Sequence, residues 1–160
     1  MNDLIIEKLK TQFAEGITAI QEFRGDLTIE VSKRDVVSVC AFLKNDPDLS
    51  FNMIIDLCGV DMYRPEGRFE IVYNLYSLRN KKYLRLKVLV DEDDPVVDTV
   101  TSVWSGANWH ERETFDMFGI KFAGHPDLRR MYMPEGYEYY PLRKDFPTMG
   151  MPDSMPLPRK

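Results

Sequence analysis

Three runs of alternating apolar and polar residues follow one another between residues 51 and 90, and they restrict the chain more than any other feature. Phe51–Met62 alternates through Phe51, Met53, Ile55 and Leu57, Phe69–Leu78 through Phe69, Ile71, Tyr73 and Leu75, and Tyr83–Val90 through Leu84, Leu86, Val88 and Val90. A period of two puts one set of side chains on one face of a strand, so each run reads as a strand with one buried face. The links Arg64-Pro65-Glu66-Gly67 and Arg79-Asn80-Lys81-Lys82 are too short for a crossover, so the three strands form an antiparallel meander.

The elements on either side fill out a layered domain. Ile5, Leu9 and Phe13 fit a short amphipathic helix within residues 3–14. Ile17–Phe23 and Leu27–Val31 read as two strands joined across Arg24-Gly25-Asp26. Ser32 and Asp35 have capping-box character and open a helix with Val36, Val39, Cys40 and Leu43 on one stripe, ended by Asn45-Asp46-Pro47. The acidic run Asp91-Glu92-Asp93-Asp94 precedes Pro95. It is read as a helix start, with Asp94 as N-cap, Pro95 at the first helical position and Val96, Val100, Val103 and Trp104 sharing a face.

The predicted class is therefore α+β, a mostly antiparallel mixed sheet of about five strands covered by helices. A length of 160 residues suits one compact domain. Seven of the ten prolines lie from Pro126 onward, which fixes φ and removes amide donors. The expectation is a single domain over 1–131 and an extended C-terminal arm over 132–160. Its tyrosines and Phe146 would be covered by partner subunits.

A hydrophobic content of 44% is that of a globular protein, and a net charge of −5 argues against nucleic acid as a partner. Residues 125–160 carry six basic and five acidic groups, so the acidity lies in the body. No apolar run approaches the roughly 20 residues of a membrane span, and Asp3 and Glu7 do not fit a secretory signal. A cytoplasmic protein is expected, with any membrane attachment made through something else. Cys40 and Cys58 are too few for an iron–sulfur or structural zinc site and are expected to be reduced and mostly buried. No phosphate-cradling Gly-x-Gly-x-x-Gly occurs, and no serine or cysteine sits in a nucleophile elbow.

The densest chemistry lies between Trp109 and Pro147. Asn108 and Glu111 have capping-box spacing, Gly119 fits a left-handed helix end, and Glu111 and Glu113 would fall in the first turn. Arg112 and Asp116 are four apart and can pair. A carboxylate or metal site built from Glu111, Glu113, His125 and Asp127, as in a metal-dependent hydrolase, is the rival reading. It is weakened because Glu111 and Glu113 point to different sides of a helix.

Glu111-Arg112-Glu113-x-x-Asp116 is followed by His125-x-x-x-Arg129-Arg130-Met131 and then by Pro141-Leu142-Arg143-Lys144-Asp145-Phe146. In these segments the chain resembles the family of C-type subunits of proton-pumping NADH:quinone oxidoreductase, respiratory complex I. The resemblance is specific over about residues 104–147. It implies a peripheral-arm subunit with no catalytic, cofactor or metal residues of its own, set beside the subunit that forms the quinone chamber and near iron–sulfur subunits. FMN and the iron–sulfur clusters would reside in partners, with NADH and quinone as substrates of the whole complex. Similar chains occur in energy-converting hydrogenases and a photosynthetic dehydrogenase-like complex. The residues expected to serve structure or the partner interface are Glu111, Arg112, Glu113, Asp116, His125, Asp127, Arg129, Arg130, Tyr139, Tyr140, Pro141, Leu142, Arg143, Lys144, Asp145 and Phe146.

Overall fold

The structure, a computed structural model, describes residues 1–150. Helix α1 (Asn2–Gln12) turns Ile5 and Leu9 inward and leads to the hairpin of β1 (Ile17–Phe23) and β2 (Asp26–Val31). Arg24 and Gly25 at its turn have φ of 52° and 88°, the left-handed pair that a two-residue hairpin needs. Helix α2 (Val36–Asn45) buries the predicted stripe of Val36, Val39, Cys40 and Leu43. Its start differs from the capping box expected. Asp35 is the N-cap without a side-chain bond into the helix, and Ser32 Oγ accepts from the Arg34 amide at 3.4 Å.

The meander is present as β3 (Met53–Asp61), β4 (Phe69–Ser77) and β5 (Lys82–Val90), antiparallel in sequence. The hairpin joins it through a parallel seam, Thr28 opposite Arg85 and Ile29 opposite Leu86, so the five strands run β1-β2-β5-β4-β3. One face carries Leu27, Ile29, Val31, Leu84, Leu86, Val88, Phe69, Ile71 and Tyr73 into a single core with α1 and α2. At about 25 cal/mol per Å² of apolar surface, this face is the main source of stability. The opposite face is polar, with Lys87 paired to Glu70 at 2.8 Å and Arg85 Nε donating to Asn74 at 3.3 Å.

Two strand-level expectations need correction. The alternation along β3 breaks at Ile55, where the register with β4 slips between Ile54 and Asp56. The extra residue flips parity, so Met53 and Ile55 are exposed while Ile54 packs on the core. Cys58 also lies outside the interior: Cys40 is buried and Cys58 exposed, both as free thiols.

The predicted helix after Pro95 does not form. Val96–Asp98 is a short strand, β6, paired in parallel with β7 (Lys121–Ala123), and turns follow it to Trp104. Residues 96–101 hold five β-branched side chains, whose restricted χ1 favours strand over helix. Val97, Val100, Val103 and Trp104 are buried, and Trp104 Nε1 donates to the Phe51 carbonyl at 3.2 Å. Asp94 pairs with Lys33 and caps nothing; Asp91 accepts from the Gly67 amide at 2.7 Å and Glu92 pairs with Arg68 at 2.5 Å. The acidic run thus serves as a set of tethers.

Helix α3 (Ala107–Phe118) lies along β3. The approach needs Gly59, because a Cβ there would sit 2.8 Å from the Phe118 ring and 3.0 Å from Thr114. The helix begins two residues earlier than the proposed box, with Gly106 as N-cap, so Asn108 lies inside it and Glu111 and Glu113 are beyond the first turn. Gly119 ends it at φ 78°, ψ 15°, as expected.

Candidate functional site: the joint between helix α3 and the tail

Helix α3 carries two carboxylates that are fully buried, Glu111 and Asp116, and they are treated oppositely by their surroundings. Asp116 accepts three successive amides, those of Met131 at 3.0 Å, Tyr132 at 2.6 Å and Met133 at 3.0 Å, and Arg130 Nη1 at 2.9 Å. Burial alone would push its carboxyl up, but the three amides and the guanidinium outweigh it and hold the group below the usual carboxylate value. The expected Arg112–Asp116 pair is therefore replaced. Arg112 turns outward over Trp109 and donates to the carbonyls of Arg129 at 3.1 Å and Arg130 at 3.4 Å. An i, i+4 pair on a helix is worth a few tenths of a kcal/mol, and a four-donor nest around a buried carboxylate is worth more.

Glu111 accepts from the Thr99 hydroxyl and from the Val100 amide at 2.8 Å, in the loop after β6. Burial is the stronger influence here, and it pushes the carboxyl up to about 7. His125 is sealed beside it, with Nε2 at 3.9 Å from the carboxylate and 3.2 Å from the Asn108 carbonyl. Its Nδ1 accepts from the Asp127 amide at 3.0 Å, which assigns the ring proton to Nε2. His110, by contrast, is partly exposed near Asp56 at 3.5 Å.

The tail is fastened to the same helix and to the sheet. Arg143 Nε donates to the Phe118 carbonyl at 2.6 Å, and its guanidinium lies over Tyr140 and Phe69 at 4.6 and 5.1 Å. The Leu142 amide donates to Met117, and the Lys144 amide to the buried Asp61 at 2.8 Å. Asp61 also holds Arg68, which reaches Asp145 at 2.9 Å. Burial pushes the Asp61 carboxyl up, and the Arg68 guanidinium with the Lys144 and Tyr63 amides brings it below its usual value. Gly119 makes room for the ring of Tyr140, which would lie 2.6 Å from a Cβ. Between Pro134 and Pro147 the path is irregular and includes three turn hydrogen bonds, Tyr137 to Pro134, Arg143 to Tyr140 and Phe146 to Arg143. Tyr139 and Leu142 stay exposed while Tyr140, Pro141 and Phe146 are half-buried. Residues 151–160 of the predicted arm lie outside the described residues.

The four residues of the hydrolase reading do not make one site. Glu111 and His125 are inaccessible, Asp127 pairs with Arg129 at 2.6 Å, and Glu113 is exposed on the helix. Among the described residues no three His, Cys, Asp or Glu side chains are grouped so as to hold a metal ion. No described helix is long and apolar enough to cross a membrane. The joint can hold α3, the His125 loop and residues 130–133 in a fixed relation, since Asp116 with Arg130 and Asp61 with Arg68 are matched within the chain. Sequence reasoning missed Thr99, Val100, Asp61 and Arg68. Strand parity does mark Asp61, two residues beyond Gly59 on the inward face, as a charge needing a buried partner.

Comparison with known proteins gives the relatives of the chain. Residues 29–152 match the model of the respiratory-chain NADH dehydrogenase 30 Kd subunit. The C-type subunit of NADH-quinone oxidoreductase from Roseiflexus sp. (strain RS-1) is 51% identical over 91% of this chain and 84% of its own length. Its counterpart in Geotalea uraniireducens (strain Rf4) is 45% identical over 97% and 93%. Among solved structures, the trypsin-resistant fragment of Nqo5 superposes with a TM-score of 0.68 at 35% identity, covering 80% of this chain and all of the fragment. A chain of an archaeal membrane-bound sulfane sulfur reductase shares the fold alone, with a TM-score of 0.70 at 23% identity over 92% of this chain and 86% of that one. The chain belongs to the family of the respiratory-chain NADH dehydrogenase 30 Kd subunit.

Proposed function

We propose that this chain is a cofactor-free structural and assembly subunit in the peripheral arm of a proton-translocating NADH:quinone oxidoreductase. It supports electron transfer from NADH to quinone without itself touching either. The observation that carries this is the joint. Its two buried carboxylates, Glu111 and Asp116, are spent on holding β6, the His125 loop and residues 130–133 against α3, leaving neither open to a substrate. A surface held this stiffly suits docking, because little side-chain and loop freedom remains to be lost on association. The partners are the subunit that forms the quinone chamber and neighbouring iron–sulfur subunits, with FMN and the clusters held by partners, on the cytoplasmic face of the inner membrane.

Purification through a tag on this chain from native membranes tests the reading. The expected result is co-purification of an NADH-oxidising flavoprotein and NADH:quinone reductase activity. Recovery of a hydrogenase catalytic subunit instead, or of the chain alone, would overturn it. The joint variant Asp116→Asn is expected to lower the amount of assembled complex while leaving turnover per assembled complex unchanged. Full assembly with turnover lost would give the joint a direct catalytic part.

A further inference from the structure

A cleft of about 730 Å³ opens between α3 and the first part of the tail. Phe115, Leu128 and Met133, all half-buried, line it, together with Tyr137 and Tyr140. Its wall is fixed before anything binds. The amides of residues 131–133 are tied to Asp116, and Arg130 also donates to the Tyr139 carbonyl at 3.1 Å.

Four charged side chains line the cleft, and only the two arginines are paired. Arg129 is matched by Asp127 and Arg130 by Asp116. Glu135 and Glu138, both exposed, have no ion-pair partner among the described residues. The faces of Tyr137 and Tyr140 are already occupied by Arg130, at 5.8 and 5.0 Å, so the rim carboxylates remain the groups free to take a cation. The same stretch of chain exposes Tyr132, Tyr139 and Leu142. Exposed apolar groups that continue outside the cleft fit a polypeptide.

We infer that this cleft seats a peptide segment of a neighbouring subunit that carries a lysine or arginine between apolar residues, an inference resting on the assembly reading above. Apolar side chains of the segment lie against Phe115, Leu128 and Met133, and its cation reaches Glu135 and Glu138.

Photo-crosslinking in the intact complex tests it, with benzoylphenylalanine placed at Tyr137 and the complex recovered through the tag. The expected product joins this chain to a peptide of a different subunit that contains a lysine or arginine flanked by apolar residues. A crosslink to a second copy of this chain, to its own residues 151–160 or to a peptide without a basic residue would overturn the inference, as would the absence of any crosslink. The second arm combines Glu135→Lys with Glu138→Lys, two exposed positions whose change is expected to leave the folded chain's circular dichroism intact. Crosslink yield is expected to fall by roughly tenfold or more, and by less for Glu135→Gln with Glu138→Gln. Equal yield in all three overturns the inference. Failure of the unsubstituted chain to co-purify with the oxidoreductase refutes the assembly reading. Co-purification with the wrong crosslink refutes the cleft alone.

Discussion

Glu111 offers the sharpest test of the joint, because its folded and unfolded chains hold a proton over different pH ranges. Burial raises its carboxyl from 4.5 to about 7 in the folded chain. Between these values the folded chain keeps a proton that the unfolded chain has released, so stability falls as pH rises through the window. At about 1.4 kcal/mol for each tenfold step in proton affinity, the full effect is about 3 kcal/mol. Glu111→Gln removes the titration while an amide keeps the shape and an acceptor for the Val100 amide, which donates at 2.8 Å. Asp61, Asp116 and the other carboxylates titrate in both proteins, so they cancel in the difference. Urea unfolding of wild type and variant at several pH values from about 4 to about 8 supplies that difference. Wild type should lose about 3 kcal/mol relative to the variant across the range, mostly between about pH 4.5 and about pH 7. A difference that stays constant within about 0.5 kcal/mol would refute the account, since it would mean that Glu111 is solvated or equally perturbed when unfolded.

Three further outcomes follow from the same geometry. Asp116→Ala strands three amides and Arg130, and should cost about 3–5 kcal/mol in denaturant unfolding; native-state hydrogen exchange at residues 131–133 should quicken by roughly tenfold or more. Gly119→Ala combines a φ of 78° with a Cβ placed 2.6 Å from Tyr140, and should cost at least about 2 kcal/mol with loss of the tyrosine near-ultraviolet dichroism. Asp61 and Asp116 are held below their ordinary value of 3.8. Their stabilisation is complete above that value and is lost as pH falls through the folded values, so acid should release residues 130–145 ahead of the meander, which amide exchange across the pH range will show.

The sheet was legible because its signal is local. The alternation in 69–78 and 83–90 and the short links determine pairing without help from the rest of the chain. The parallel seam between β2 and β5 was not legible, since no local pattern says which strand a hairpin will join. The helix expected after Pro95 failed for a related reason. Pro95 behind an acidic run is a good helix start, yet Val96 and Val97 found a partner in Lys121–Ala123, which sequence spacing cannot announce. At the joint, the residues that matter were visible and their partners were not. Arg112 and Asp116 pair on a helical wheel, but three amides from the tail are better donors, and only the folded path of residues 130–133 brings them there.

The parallel seam also sets a clock on the chain's birth. Thr28 and Arg85 are partners across it, about 57 residues apart in sequence. A ribosome adding about 5–20 residues per second delivers the second partner roughly 3–11 s after the first. During that interval the β1–β2 hairpin has no neighbour on its β2 side, while β3 and β4 can pair locally as they emerge. The nascent chain therefore carries an open strand edge, a template for unwanted pairing, for seconds before the sheet closes.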